Sequence, residues 1–367
     1  MGVVGAGVMG ASHLNDIRQI AEMELAGVCD VNETLVKKAA ELNGCKAYTD
    51  YKKMISRDNL DAVLIATPHY FHPETTIWAF EQGVHVLCEK PMAVTISDAQ
   101  RMIDAQAKRP ELCFALMLLF RIHPLWMKLK NLITCGEFGR IRRISWTITD
   151  WYRTQAYYNS STWRGTWKGE GGGILMNQCP HQLDLLQWLF GMPKSVFAHV
   201  SRGRYHQVEV EDDVNALMEY ADGTICTFNT STGETPGTNR LEMATDRGRV
   251  VVENGKIQFD RTVISVSEFT RTCTEVCGRH DVWPKPEAWS IQVPVEGENL
   301  KHRGVTQNFA QAILKNAPLI APGEEGINSL MLANAMLYSG LKNQIVELPL
   351  EAKLYDGLLE DLIAGKI

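Results

Sequence analysis

No stretch of this chain stays apolar for the ~20 residues that a membrane span needs. The longest apolar run, 112–120, fits a single buried strand. Positive charge is not in excess either: 37 Lys and Arg against 43 Asp and Glu give a net charge of −6 and a pI near 6.0. With no basic stripe, a nucleic-acid partner is excluded. The nine cysteines are odd in number and lack paired spacing, so a disulfide framework is not expected and a reducing cytoplasm is. Cys273-x3-Cys277-x2-His280 is the one metal-like spacing, and no second Cys/His pair completes four ligands, so no metal is expected. Repeats and low-complexity linkers are missing, and no signal peptide is expected because Met1 leads straight into a motif. What remains is an ordinary globular composition, 45% hydrophobic and 22% charged over 367 residues, enough for about two domains.

The motif is Gly5-Ala6-Gly7-Val8-Met9-Gly10. It follows a strand stub at Val3-Val4, precedes a helix expected over 12–22, and is followed by a strand over 25–29 that ends in Asp30. G-x-G-x-x-G alone is a weak signal; strand, helix and acid in this order supply its context. The first glycine makes a tight turn, the second lets backbone approach a pyrophosphate, and the third packs helix on strand. Helix amides then face the phosphates, and Asp30 can accept a hydrogen bond from a ribose 2′-hydroxyl. That acid repels a 2′-phosphate, and Val31-Asn32-Glu33 offers no cation for one, so NAD is expected in preference to NADP. The competing reading is a glycine turn without a cofactor.

Helices and strands then alternate. A helix at 33–42, a short one at 50–55 and a strand at 62–66 lead into the turn-rich Thr67-Pro68-His69-Tyr70-Phe71-His72-Pro73. A helix to Gln82 and a strand at 84–88 follow, and the next helix opens at Ser97 with Gln100 three residues on, a capping-box pattern. The run at 112–119 closes the sheet. This alternation means parallel pairing in a doubly wound α/β fold that ends near Phe120. Beyond about Arg140 the pattern changes. Strands at 141–149, 195–200, 214–220, 224–229, 241–244 and 250–253, with hairpin turns at Asp222-Gly223 and Asn254-Gly255, make a mostly antiparallel sheet. Helices are expected near 171–190, 303–316 and 325–341.

Two constellations carry candidate chemistry. The strand at 84–88 ends in Glu89-Lys90-Pro91, and a lysine at such an end faces the crevice where α/β sheets bind ligands. Proline restrains Lys90, and Glu89 can keep the amine charged or orient it; a surface lysine before a helix-entry proline is the alternative. Farther on, Gly171-Gly172-Gly173 leads into a segment in which Asn177, His181 and either Asp184 or Leu185 share a face if it is helical. Pro180 kinks that helix unless the helix begins there.

Together these features resemble the glucose–fructose oxidoreductase / inositol dehydrogenase (Gfo/Idh/MocA) family over nearly the whole chain. The resemblance rests on the glycine motif, Thr67-Pro68 with His72, Glu89-Lys90-Pro91, Trp163-Arg164, the triple glycine with His181 and Asp184, and the stretch from Gly326 to Val346-Glu347-Leu348-Pro349. It implies an NAD(P)-binding Rossmann domain over 1–120. It also implies an α+β domain over 121–367, with an open, mostly antiparallel sheet, for substrate binding and homo-oligomerisation as a dimer or tetramer. The implied substrates are sugars or cyclitols, with Lys90 and His181 as the active-site pair. Cofactor contacts fall on Gly5, Ala6, Gly7, Val8, Met9, Gly10, Asp30, Thr67, Pro68, His69, His72, Glu89 and Lys90. Substrate contacts fall on Asn177, Arg164, Trp163, Tyr158, Trp151 and Asp184. One departure matters: many members carry aspartate where Asn177 stands, and an amide cannot accept a proton as a carboxylate does. Asparagine followed by glutamine is similar to members that oxidise a ring carbon of larger glycosides or nucleotide sugars.

Oxidising a secondary alcohol takes a proton from oxygen while hydride leaves carbon. NAD(P) accepts the hydride, so the protein must supply a base near neutrality. Trp151, Tyr152, Tyr157, Tyr158, Trp163 and Trp167, with Arg153 and Arg164, suit the CH faces of a pyranose, or else a subunit contact. A glycosidase using bound NAD transiently and a dinucleotide-binding regulator are the alternative functions; Lys90 with His181 argues against the regulator.

Overall fold

The computed structural model describes residues 1–57, 59–276 and 283–367. Cys277 and His280 of the metal-like spacing therefore lie outside the described residues. Among the described residues the strands form two sheets. The first contains β1 (Gly2–Val4), β2 (Gly27–Cys29), β3 (Lys46–Tyr48), β4 (Ala62–Ile65), β5 (His85–Cys88) and β6 (Phe114–Leu116). All pairs are parallel, in the order 3-2-1-4-5-6. The order reverses at β1 and β4, so a crevice opens at their carboxyl ends. The connecting helices are α1 (Val8–Ile17), α2 (Glu33–Asn43), α3 (Tyr51–Arg57), α4 (His72–Glu81) and α5 (Ile96–Ala107). Strands such as β1 and β4 are buried throughout, the reason they read as apolar runs without alternation.

Local chemistry moves several expected boundaries. Helix α1 starts at Val8, directly on the turn, with Gly7 as its N-cap, and it ends at Ile17. Turns over 17–23 then keep Ile20 buried while the chain reverses toward β2. Thr95 caps α5 in place of Ser97: its hydroxyl accepts the Asp98 N–H at 3.1 Å, while Ser97 Oγ donates to Asp356 at 2.5 Å. The run at 112–119 yields only the three residues of β6. Leu119–Ile122 coils into a 3₁₀ turn that draws Arg121 inward to Asp184. Strand β3 was not expected, because two of its three residues are exposed and carry no apolar signal.

The second sheet begins after α6 (Pro124–Thr134). Its elements are β7 (Ile141–Ile148), α7 (Gln155–Tyr158), α8 (Pro180–Phe190), β8 (Ser195–Arg202), β9 (Glu211–Glu219), β10 (Ile225–Ser231), β11 (Asn239–Thr245) and β12 (Gly248–Glu253). They continue with β13 (Lys256–Thr262), α9 (Val266–Thr272), β14 (Ala288–Val293), α10 (Lys301–Lys315), α11 (Gly326–Lys342), β15 (Val346–Glu347) and α12 (Ala352–Ile363). The strand order is 14-13-12-11-7-10-9-8-15, antiparallel except for β7 with β10. Strand β9 alternates Val214, Ala216 and Met218 inward with Asn215 and Leu217 outward, the pattern of a sheet covered on one face. Helices α8 and α11 pack together there, α11 lying against β8. Asn254 and Gly255, at φ 50° and 72°, make the hairpin turn between β12 and β13. The expected helix over 171–190 is helical only from Pro180, because Gly171 and Gly172 adopt φ of +81° and +154°. Near the end the chain returns to the first sheet, where Val305 and Phe309 of α10 share a core with Val3, Leu14 and Leu87.

Candidate active site

The glycine turn has the spacing that a dinucleotide requires. Gly5 sits at φ +102°, and a Cβ on Gly10 would lie 1.9 Å from the Gly5 carbonyl oxygen, so only glycine lets α1 close on β1. At Gly7 a Cβ would meet nothing within 4 Å, leaving that backbone open to an approaching phosphate. Val8 is 89% exposed at the mouth of the turn, apolar surface a bound cofactor would cover. Asp30 ends β2 and its carboxylate accepts the N–H groups of Ala6 at 2.8 Å and Asn32 at 2.9 Å. It thus ties the turn to the strand end and remains at the place a ribose would occupy. These residues fit a dinucleotide, with the amides of α1 toward the phosphates.

The loops after β4 and β5 complete that side. His72 is buried and spans both loops, Nδ1 2.8 Å from the Pro91 carbonyl and Nε2 2.9 Å from that of Thr67. His72 therefore braces Thr67-Pro68 against Lys90-Pro91. Thr67 Oγ1 is buried without a hydrogen-bond partner. His69 Nδ1 lies 2.9 Å from the Glu170 carbonyl, and Tyr70 Oη donates to that of Trp167 at 2.6 Å, so this loop also grips the second half of the chain. Glu89 is buried with His13 Nε2 2.7 Å from its carboxylate. Burial pushes Glu89 up, but the His13 hydrogen bond and charge, with Lys90, outweigh it and bring it to about 2.

Lys90 Nζ donates to the Asn177 carbonyl at 2.7 Å, joining the two halves at one atom. Burial lowers its pKa below the ordinary lysine value; Glu89 and Glu170 pull it back up, and Arg164 and Arg153 push it down further. His181 is the second residue of α8. Burial first, then the Lys90 charge, brings it down to about 3, so the imidazole is neutral. Its Nδ1 is buried without a partner, and its ring tilts against Phe120 at 5.0 Å.

Asn177 precedes α8 and does not share its face. Its amide donates to Glu170, whose other carboxylate oxygen accepts the Gly165 N–H at 2.6 Å. Burial raises the Glu170 pKa even so. The triple glycine admits another strand: a Cβ on Gly173 would lie 1.9 Å from the Glu211 carbonyl oxygen. The Glu211 carboxylate accepts the Gly173 and Leu175 N–H groups at 2.9 and 3.1 Å, and burial pushes it up to about 7. Asp184 is turned away from the amine–imidazole pair. It forms a bidentate bridge with buried Arg121, at 2.9 and 2.7 Å, and Arg121 also pairs with Glu325.

Nor do the aromatic residues form one open platform. Tyr158 is buried with its hydroxyl 3.0 Å from Thr232 Oγ1, and Trp167 is core. Trp151, Tyr157 and Trp163 are half-buried, and guanidinium groups lie over them. Arg153 is 5.5 Å from Trp151 and 5.0 Å from Tyr157, and Arg164 is 4.5 Å from both Tyr157 and Trp163. Of the expected site, the structure brings together the glycine turn, Asp30, Thr67, His69, His72, Glu89, Lys90, Asn177, His181, Trp163 and Arg164. It directs Asp184 and Tyr158 into packing. Sequence reasoning missed His13, Arg121, Glu170 and Glu211. Glu170 had a signal, a lone charge against a glycine run; Arg121 had another, a charge closing the longest apolar run.

Two family profiles match this chain. The oxidoreductase family's NAD-binding Rossmann fold covers residues 1–116, and the GFO/IDH/MocA C-terminal domain covers residues 126–255. The chain belongs to the Gfo/Idh/MocA oxidoreductase family, and its first sheet is the family's NAD-binding Rossmann fold. It is similar to the inositol 2-dehydrogenase of Salmonella typhimurium, 25% identical over 232 residues, which are 60% of this chain and 64% of that protein. The chain thus spans a little under two thirds of that relative. The myo-inositol 2-dehydrogenase of Thermotoga maritima is 25% identical over 274 residues, 73% of this chain and 78% of that protein. The WlbA dehydrogenase of Bordetella pertussis, solved with NADH and UDP-GlcNAcA, matches with a TM-score of 0.79 at 26% identity over 95% of this chain and 98% of that one.

Proposed function

We propose that the protein is an NAD-dependent dehydrogenase that oxidises a secondary hydroxyl of a sugar, cyclitol or glycoside. In its finer form, the target is a ring carbon such as the 3-position of a glycoside or sugar conjugate. The observation that carries this reading is Lys90 Nζ, which leaves the end of β5 beside the glycine turn yet bonds to Asn177 O from the other half. The amine therefore stands where cofactor and substrate regions meet. Burial makes its neutral form accessible, and Lys90 takes the proton of the alcohol. NAD, when bound, accepts the hydride. His181, neutral, a weak base and close enough to feel the Lys90 charge, orients the hydroxyl. Glu170 is a positioning residue. It supplies the carboxylate that Asn177 lacks, holding the Asn177 amide while its charge raises Lys90.

The names of the inositol 2-dehydrogenase relatives support a carbohydrate, and the UDP-GlcNAcA bound to WlbA supports a conjugate. A cytoplasmic homo-oligomer, dimer or tetramer, belongs to the same reading. The eight described cysteines are free, and no helix among the described residues is long and apolar enough to cross a membrane. Phe197 and Leu217 pair across β8 and β9 on the outer sheet face, 41% and 48% exposed, an apolar surface suited to a second copy. The test is NADH absorbance with free sugars, inositols and glycosides. Absence of cofactor reduction throughout the panel refutes the dehydrogenase, while glycoside cleavage without net NADH identifies the glycosidase alternative.

A further inference from the structure

We propose that the substrate carries an anionic group, a carboxylate or a phosphate, that seats on Arg153 and Arg164. The proposal rests on the dehydrogenase reading and names its substrate class. Rings and guanidinium groups alternate across the 151–164 segment in the spatial order Trp151, Arg153, Tyr157, Arg164, Trp163. Both arginines lie over the same Tyr157 ring, at 5.0 and 4.5 Å from its centroid, so their separation cannot exceed those two distances laid end to end. The aromatic faces therefore hold the protein's own cations, and each guanidinium is fixed in plane with its N–H edge available.

Those edges are largely unspent. Arg164 donates to Tyr157 Oη at 2.5 Å, and Arg153 donates to the carbonyls of Trp151 and Tyr152 at 3.4 and 2.9 Å. A guanidinium has five N–H donors. Among the described residues neither arginine has a carboxylate within the 4.0 Å of an ion pair. Glu170, whose charge interacts with Arg164, has its two oxygens committed to Gly165 N–H and the Asn177 amide. Arg121 makes the contrast, being paired with Asp184 and Glu325.

The location gives the unpaired charge its meaning. Both arginines depress the Lys90 pKa, so both project their field onto the proposed base. Lys90 feels Glu89 and Glu170 against Arg164 and Arg153; Glu89 is already bonded to His13, and Glu209, which lines the cavity beside Arg164, accepts the Trp167 N–H at 3.2 Å. Oxidised nicotinamide brings a further positive charge. An anionic substituent balances this excess, and planar guanidinium edges match carboxylate and phosphate oxygens in paired hydrogen bonds. A neutral sugar leaves both cations uncompensated.

Binding is measured on the full chain loaded with NADH, using cofactor fluorescence and titrating glucose, glucuronate, glucose 1-phosphate and UDP-glucose in parallel. The expected result is that at least one anionic ligand binds about 10- to 100-fold more tightly than glucose, the worth of a charge-assisted hydrogen-bond pair. Glucuronate against glucose 1-phosphate distinguishes a ring carboxylate from a phosphate. Arg153→Gln and Arg164→Gln should each reduce the anion-to-glucose ratio about tenfold or more, and Arg164→Lys should restore part of it. NADH affinity checks that each variant is folded. Equal or tighter binding of glucose overturns the proposal, as does a ratio that survives both glutamine substitutions. The dehydrogenase reading is judged separately, by NADH formation: turnover of neutral glycosides with anions rejected keeps that reading and removes this one.

Discussion

Replacing Arg121 by methionine should destabilise the protein by about 3–5 kcal/mol, the cost of leaving a buried charge without its partner. Arg121 and Asp184 are each 1% exposed at the side chain, and their bridge is bidentate. Burial raises the Asp184 pKa even with the guanidinium present. Without Arg121, only Gln187 remains to donate to Asp184, at 2.9 Å, and burial acts with less opposition. A carboxylate whose folded pKa is raised binds a proton more readily folded than unfolded, so the variant should lose stability as pH rises and regain it toward acid. Urea midpoints at pH 5 and pH 8 measure this, the deficit being larger at pH 8. The double variant Arg121→Met/Asp184→Leu, which removes both charges, should recover most of the loss. A single-variant loss below about 1 kcal/mol at pH 8, or a deficit that grows at pH 5, would refute the argument. Asp184 lies one helical turn beyond His181, so the single variant should also reduce turnover through misplacement of α8.

Lys90→Ala should lower turnover by ~10²–10⁴, the usual worth of general-base help, while NAD affinity measured by fluorescence stays near that of the parent. His181→Ala should also depress turnover, and near-full activity in either variant would remove that residue from the proposed chemistry. Glu170→Gln removes a charge that raises Lys90, so the acidic limb of kcat/KM against pH should move to lower pH; an unmoved limb would leave Glu170 a purely structural role. The native protein should prefer NAD to NADP by kcat/KM, and Asp30→Ala should narrow the preference; native preference for NADP would contradict the role given to Asp30.

Sequence alone determined the amino-terminal sheet and its cofactor turn because both depend on local rules. Gly10 serves a contact within the motif itself: a Cβ there would meet Gly5, five residues earlier. Parallel strands buried on both faces leave apolar runs visible in any reading. The place of Lys90 in the fold was legible because a strand end and a proline flank it, and that of His181 because glycine and proline mark the segment that carries it. The remaining features depended on long-range charge pairing, which no periodicity records. Asp184 sits on a helix as expected, but Arg121, 63 positions away, takes its carboxylate. Asn177 is read as an absent acid until the fold places Glu170 against its amide. The rings of 151–167 look like a sugar platform in one dimension, and tertiary structure lays two guanidinium groups over them instead. Small edge strands such as β3 and β15 were invisible for a related reason: with Lys46, Ala47 and Glu347 exposed they leave no apolar run, and only their neighbours' hydrogen bonds define them.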